Sequence, residues 1–261
     1  MPVSGFVCIY YGNTGSSWLV ETLSTSPEVF TTGFEPLEKW AWDAPSDEKL
    51  AWMRDALQPP EDTVSEESLA AWSATLGASP QFHGTLNKTG FRMTGWKMTW
   101  GSVGDPDGVL RVLAETGSKA ILLVRENRVK HALSLYRYHE EGKSQFEKKG
   151  TRPPSEVSIV SMAKWLRESQ RLHDQAVGFG SQCEAVLGRE NVAHVTYEEF
   201  VSPEGKRQTI DRMADFLGLD PDRFVQSNFE KATSDELRDA LVNFKQLRRK
   251  FFFTPYRKFF V

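Results

Sequence analysis

The sequence predicts an α/β fold with a central parallel sheet flanked by helices, and three observations predict it. The apolar run Gly5-Phe6-Val7-Cys8-Ile9-Tyr10-Tyr11 breaks into Gly12-Asn13-Thr14-Gly15-Ser16-Ser17 and resumes with helical spacing at Trp18-Leu19-Val20-Glu21-Thr22-Leu23. That is a strand, a glycine-hydroxyl loop and a helix. Lys119-Ala120-Ile121-Leu122-Leu123-Val124 is apolar without alternation, as expected of a central parallel strand covered on both faces. Strand and helix patterns alternate along the rest of the chain, and right-handed crossovers then place helices on both faces of the sheet.

The elements follow in order. Val29 to Phe34 is β-branched and aromatic, a short second strand that ends at Glu35-Pro36. From Ser46 to Leu76 two helical patterns, rich in acid and Trp, are separated by Gln58-Pro59-Pro60 and read as an insertion packed over one side of the sheet. Phe91 to Met98 is a further strand. Asp105 then caps a helix with Pro106 at its first position, and Gly117 closes it. After the strand ending at Val124 comes a helix from Arg128 to Glu141 with Val129, Ala132, Leu133 and Tyr136 on one face and a basic opposite face. Gly142 to Pro154 has the composition of a mobile loop, a candidate lid. A long helix from Ser155 to Leu187, a strand from Asn191 to Val195 and a helix from Pro203 to Gly218 complete the alternation. Ligands of such a sheet belong at the carboxyl ends of its strands, where the first loop, Glu35, Lys97 and Arg125 all fall.

Composition narrows the function. With 261 residues, 39% of them hydrophobic, eight Trp and seventeen Phe, the chain can bury one full core, and it reads as a single domain over 1–261. A net charge of −3 argues against a general nucleic-acid binder, so no nucleic-acid partner is expected. Cys8 and Cys183 fall in a strand and a helix and read as small core residues, not a disulfide or a metal pair. The five histidines occur singly, so no metal is expected. His131, on the side of its helix expected to face a bound ligand, is the exception to test. No charged leader precedes the first strand and no apolar stretch of about eighteen residues occurs, which makes a cytoplasmic location the expectation.

The glycine-hydroxyl loop turns backbone N–H groups and hydroxyls toward one point at a helix N-terminus, where the macrodipole favours an anion. A nucleoside-triphosphate loop would close in Gly-Lys-Ser/Thr, whereas here Ser16 and Ser17 follow Gly15 directly. A dinucleotide fingerprint would need a third glycine.

The residues resemble the sulfotransferases that use 3′-phosphoadenosine 5′-phosphosulfate (PAPS). Tyr11-Gly12-Asn13-Thr14-Gly15-Ser16-Ser17-Trp18-Leu19 is similar to their 5′-phosphosulfate loop, and Val124-Arg125 through Ser134-Leu135-Tyr136 is similar to their 3′-phosphate motif. Phe34-Glu35-Pro36-Leu37 resembles the segment after the second strand in carbohydrate-type members, and Gly95-Trp96-Lys97-Met98 resembles the strand that brings a Lys to the site. With Val195 to Phe200 and the helix ending Phe216-Leu217-Gly218, the likeness spans nearly the whole chain.

The resemblance implies a P-loop-like sulfotransferase fold with a helical cap at about 40–90. It implies PAPS as the sulfuryl donor, no metal, and a small-molecule or carbohydrate acceptor, and it leaves room for a homo-oligomer. Gly12, Asn13, Thr14, Gly15, Ser16, Ser17 and Trp18 would hold the phosphosulfate, Arg125 and Ser134 the 3′-phosphate. Three departures stand out, one being that Arg125 and Ser134 lie a residue further apart than in the cytosolic animal members. The basic residue usual in the loop is Asn13, which leaves the leaving-group charge to Lys97, and the place of a common His base is Thr99, which leaves the base to Glu35.

Each assignment has a plainer rival. Arg125 could pair with Glu126 or Glu21, Lys97 could point to solvent, and Glu35 could end a strand and pair with Lys39. The tryptophans from Trp40 to Trp100 suit core packing, or a sugar-stacking pocket in the cap. For the whole chain the alternatives are another nucleotide-dependent transferase or kinase, and a catalytically inactive nucleotide-binding protein of the same fold. The basic-aromatic segment at about 234–261 offers Arg248, Arg249 and Lys250, which the resemblance would place over the 3′-phosphate. A membrane contact is set aside on that account, although exposed phenylalanines there would favour membrane or partner contact.

Overall fold

The computed structural model describes residues 4–31, 35–38, 42–76, 89–142, 153–225 and 236–260, without the Pro203 side chain. The strands are β1 (Ser4–Tyr10), β2 (Val29–Thr31), β3 (Met93–Thr99), β4 (Lys119–Val124) and β5 (Val192–Thr196). The helices are α1 (Ser16–Ser24), α2 (Ser46–Leu57), α3 (Glu66–Leu76), α4 (Pro106–Glu115), α5 (Arg128–His139), α6 (Ile159–Leu187), α7 (Tyr197–Val201), α8 (Pro203–Leu217), α9 (Leu237–Ala240) and α10 (Phe244–Lys250). Contacts divide the chain into two compact units: residues 1–11, 15–124 and 176–227, and residues 12–14, 125–175 and 228–261.

The first unit holds the sheet, all parallel, in the order β2-β3-β1-β4-β5. The expected α/β class therefore holds. β1 lies at its centre, with Cys8 beside Lys97 of β3 on one side and beside Ile121 of β4 on the other. From β1 the chain goes to the edge at β2, returns inward to β3 beside β1 and then crosses to β4 on the other side, which makes the carboxyl ends of β1, β3 and β4 the topological switch point. One face of the sheet, with Phe6, Cys8, Ile121, Leu123 and Val195, packs on Leu19, Val20 and Leu23 of α1 and on Met213, Ala214 and Leu217 of α8. Val7, Ile9, Ala120 and Leu122 on the other face are equally buried. That two-sided burial is why these strands read as unbroken apolar runs.

Local signals fix the helix ends. Asp105 accepts from the Gly108 N–H at the start of α4, with Pro106 in the first turn, and Gly117 beyond its end has a φ of 61°. Thr196 and Glu199 form a reciprocal capping box on α7, and Ser202 caps α8. α2 packs against β1, β3 and α4. Its Trp52 is 2% exposed and meets the fully buried Trp96 edge-on at 5.2 Å, while Trp72 of α3 packs on Phe30 and Phe91. Trp52 and Trp72 are thus core residues, not linings of an acceptor pocket; Trp40 lies outside the described residues.

The second unit centres on α5. Val129, Ala132, Leu133 and Leu135 pack with Met162, Trp165 and Leu166 of α6, with Leu237 and Ala240 of α9, and with Leu247, Phe251 and Phe260. Ser155 pairs with Leu241 in an isolated parallel bridge. The bridge explains why α6 begins at Ile159 and not at Ser155: the backbone of 155 is extended and committed to 241. The second strand is described only to Thr31, and residues 143–152 of the candidate lid and 77–88 of the candidate cap lie outside the described residues. Both cysteines are buried and free, and burial pushes each thiol up to about 12. Among the described residues no helix is long and apolar enough to cross a membrane.

Candidate functional site

In the first unit the loop after β1 enters α1 through Gly15, whose φ of +83° is left-handed. A side chain at Gly15 would also collide with the Tyr197 ring, since a Cβ there would lie 2.6 Å from Tyr197 Cδ2. Only glycine meets both demands. Gly15 gives α1 no side-chain cap, and no acid occupies the first turn of α1, in contrast to α4 and α8. No acid of its own first turn thus compensates the positive end of the α1 dipole, a setting that suits an anion. Ser16 is 5% exposed and Ser17 is half-buried.

Lys97 lies near the carboxyl end of β3, 3% exposed. Its Nζ donates to Ser17 Oγ at 2.7 Å, pairs with Glu35 Oε1 at 2.9 Å and sits 5.2 Å from the centre of the Tyr10 ring. The solvent-facing alternative for Lys97 is excluded. Gly95, two residues earlier, allows β3 this close to β1, because a Cβ there would fall 2.4 Å from the Phe6 ring. Three residues far apart in the chain, Ser17, Glu35 and Lys97, thereby meet at one point.

Several residues that the pattern did not single out complete this cluster. The Tyr10 hydroxyl donates to Glu35 Oε1, and burial together with the Glu35 charge raises its pKa above the ordinary range. Glu38 accepts from the Thr99 N–H at 2.9 Å and from the Ser102 hydroxyl. Lys49 of α2, 3% exposed, donates to the carbonyls of Leu37 and Ser102 at 2.8 and 2.9 Å and so pins the segment that carries Glu35. A hydroxyl at the very end of β1 was the available signal for Tyr10; the role of Glu38 rests on contacts 61 and 64 residues away, and that of Lys49 on one 12 residues away and one 53 away. Trp18 packs edge-on against Phe200 at 5.1 Å, with Lys206 Nζ 5.1 Å from the ring centre, so its ring is a packing element.

In the second unit Arg125 is 7% exposed. Its Nη1 donates to Ser134 Oγ at 3.0 Å and to the Asn13 carbonyl at 3.1 Å. The structure thus joins Arg125 to Ser134. Asn13 has a φ of 64°, the left-handed region that asparagine tolerates better than most side chains. Its residue type is therefore explained by backbone conformation, and its carbonyl is its contribution to Arg125. Gly12 is exposed and Thr14 buried.

His131 is fully buried, its ring nitrogens 2.8 Å from Ser169 Oγ and 2.8 Å from the Gly12 carbonyl. A carbonyl only accepts, so Nε2 carries the proton and Nδ1 accepts from the serine. Burial and the positive charge of Arg125 lower its pKa to about 3, which keeps the ring neutral. His131 therefore positions the loop and does not line a ligand surface. Two cations of α5 are likewise internal: Arg128 donates to the Arg125 carbonyl, and Arg137 donates to Ser155 Oγ and the Ala240 carbonyl, both at 2.9 Å. Arg248, Arg249 and Lys250 are exposed on α10.

No family model matches the chain, and no curated protein matches its sequence. Among solved structures, the chain is similar to a sulfotransferase from Alicyclobacillus acidocaldarius, at 17% identity and a TM-score of 0.49, over 100% of this chain and 95% of that one. It is also similar to a mouse sulfotransferase complexed with PAP, at 16% identity and a TM-score of 0.45, over 98% of this chain and 80% of that one. A third likeness is to the sulfotransferase domain of the curacin biosynthetic pathway, at 13% identity and a TM-score of 0.44, over 92% and 83%.

Proposed function

We propose that the chain is a sulfotransferase that moves the sulfuryl group of PAPS to a hydroxyl of a small-molecule or carbohydrate acceptor. One observation carries the reading. Lys97 Nζ lies 2.7 Å from Ser17 Oγ and 2.9 Å from Glu35 Oε1, so the loop hydroxyl, the cation and the carboxylate that the sequence resemblance singles out meet at the carboxyl ends of parallel strands. Each unit offers donors that suit one anionic group of such a nucleotide: in the first, a buried ammonium beside an α1 N-terminus with no acid in its first turn, and in the second, a buried guanidinium with the Ser134 hydroxyl.

The acceptor oxygen would form a bond to sulfur as the bond from sulfur to the nucleotide's 5′-phosphate oxygen breaks, leaving adenosine 3′,5′-bisphosphate and a sulfate ester. Transfer of this kind resembles phosphoryl transfer, in which positioning and charge stabilisation dominate. Gly15, Ser16 and Ser17 would hold the phosphosulfate through N–H and hydroxyl donors. Lys97 would stabilise the charge that grows on the departing oxygen, the part that a basic loop residue would otherwise take at Asn13. Glu35 would receive the acceptor's proton, a contribution of roughly 10²–10⁴ in rate. Arg125 and Ser134 would bind the 3′-phosphate, which distinguishes this nucleotide from ATP. Tyr10, Glu38 and Lys49 would act by holding Glu35 and its segment in place.

Thermal unfolding tests the donor. At a hundredfold excess over its dissociation constant, adenosine 3′,5′-bisphosphate should add about 2.7 kcal/mol and raise the midpoint by roughly 5–10 °C, with ATP and magnesium giving no shift. A shift with ATP alone would instead assign a kinase-like transferase. Glu35→Gln should leave the bisphosphate shift in place and reduce sulfate transfer by about 10²-fold or more; unchanged turnover would remove Glu35 from the chemistry.

A further inference from the structure

Three consecutive phenylalanines on the segment after α10 meet three different fates. Phe251 is buried, its ring stacked on Phe260 at 5.8 Å and 8°. Phe252 is 37% exposed, with the Arg257 guanidinium 4.0 Å from its ring centre. Phe253 is 96% exposed and touches Phe252 edge-on at 5.1 Å. Burial explains Phe251, which completes the core of the second unit, but among the described residues the packing of this unit uses Phe253 for nothing beyond its contact with Phe252.

A single exposed phenylalanine is ordinary. Its setting is not. From Ala240 to Phe260 the chain carries Lys245, Arg248, Arg249, Lys250, Arg257 and Lys258 and no Asp or Glu, although its net charge is −3. All six cations are exposed, and so is Val242, at 65%. Lys245, Arg248 and Arg249 share one face of α10 at helical spacing, and Lys250 closes its last turn. Lys258 Nζ lies 4.9 Å from the centre of the Phe259 ring, a cation–π contact at an exposed site.

We propose that this surface docks the protein on the face of an anionic lipid bilayer, with Phe253 entering the headgroup layer and the six cations meeting lipid phosphates and carboxylates. Charge complementarity and a projecting apolar ring are the two components of peripheral membrane binding, and each alone is weak. Single-stranded nucleic acid, the other polyanion, asks for ring faces presented in a groove. Here Arg257 covers a face of Phe252, and Phe253 stands out from the surface. The proposal uses neither the Lys97 cluster nor Arg125, and it assigns Arg248, Arg249 and Lys250, all exposed, to lipid and not to the 3′-phosphate where the sequence resemblance would place them.

Flotation of the full chain with lipid vesicles tests it. Vesicles of phosphatidylcholine with about 30% phosphatidylserine should carry the protein at low salt and release it at about 0.5 M salt, and pure phosphatidylcholine should not carry it. Phe253→Ser should lower partitioning about tenfold, and the pair Arg257→Gln with Lys258→Gln should lower it about fivefold per charge. Both variants change exposed side chains, so each should keep the parent's unfolding midpoint, which separates lost binding from lost folding. Equal binding to the two vesicle types, or binding indifferent to Phe253→Ser, overturns the proposal. Displacement of vesicle-bound protein by a single-stranded oligonucleotide that itself depends on Phe253 would reassign the surface to nucleic acid and overturn it as well.

Discussion

Helices α5 and α10 both read as basic in the sequence, and the second unit treats them in opposite ways. α5 buries Arg128, His131 and Arg137 to 3%, 0% and 3% exposure and sets each against a backbone carbonyl. α10 buries Leu247 and leaves Arg248, Arg249 and Lys250 in water. The carbonyls that α5 satisfies, those of Gly12, Arg125 and Ala240, lie where the chain leaves regular structure and the backbone ladder supplies no donor. Buried donors there do the work that a cap does at a helix end. Positive charge on a helix is therefore no sign of a ligand until its burial and its partners are known. On α5 the cations hold loops in place, and on α10 they are available to something outside the chain.

The largest test of this contrast is Arg137→Met. The guanidinium joins α5 to Ser155 Oγ and to the Ala240 carbonyl, beside the bridge between Ser155 and Leu241. Methionine fills much of the volume but donates nothing, so two buried acceptors lose a charged donor. Urea unfolding should show a loss of about 2–4 kcal/mol. A loss below about 0.5 kcal/mol would mean that α5's buried cations are no more structural than α10's exposed ones.

His131 gives an intermediate effect with a pH signature. Its pKa falls from about 6.5 in the unfolded chain to about 3 in the fold, because burial and the charges of Arg125, Arg128 and His173 disfavour the imidazolium, against the opposing pull of the Gly12 carbonyl. Between those values the unfolded state binds a proton that the native state does not. Stability from this group is complete above about pH 6.5 and is lost as the pH falls toward 3, with a slope of at most about 1.4 kcal/mol per pH unit. His131→Gln, which can still donate to Gly12, should flatten that slope while costing about 1–2 kcal/mol at neutral pH. An unchanged acid limb in urea titrations from pH 7 to 4 would place the imidazole's titration elsewhere.

The sequence carried the fold further than it carried these distinctions, for physical reasons that particular residues make plain. β4 is read to the residue because burial on both faces leaves an apolar run that no surface strand has, and α4 because Asp105, Pro106 and Gly117 mark its ends chemically. The start of α6 is misplaced because the bridge from Ser155 to Leu241 is a long-range commitment with no local signal. At the candidate site the loop, Glu35, Lys97 and Arg125 were legible from strand ends, since their places depend on local pattern. What was not legible is which charge faces which. The Lys97 and Glu35 pair, Lys49 against the Ser102 carbonyl, and the neutral His131 behind Gly12 are all settled by contacts across more than fifty residues. The same holds for Asn13, whose residue type follows from a left-handed φ that no spacing rule displays.

The smallest expected effect completes the comparison. Arg249→Ala removes an exposed cation that shares a helix face with Lys245 and follows Arg248, with like charges as near neighbours. Alanine is the better helix former, and relief of like-charge repulsion works in the same direction. The change should therefore move unfolding free energy by no more than about 0.5 kcal/mol, with stabilisation favoured at low salt and the difference fading as salt screens the cluster. The sign is the informative part. If Arg249→Ala destabilised the protein by an amount like that of Arg137→Met, α10 would be held by a buried partner, and its charges would belong to the fold. A null or slightly stabilising result instead means the fold tolerates six clustered cations that it does not need, and tolerated repulsion of that kind is what a surface kept for an anionic partner would look like.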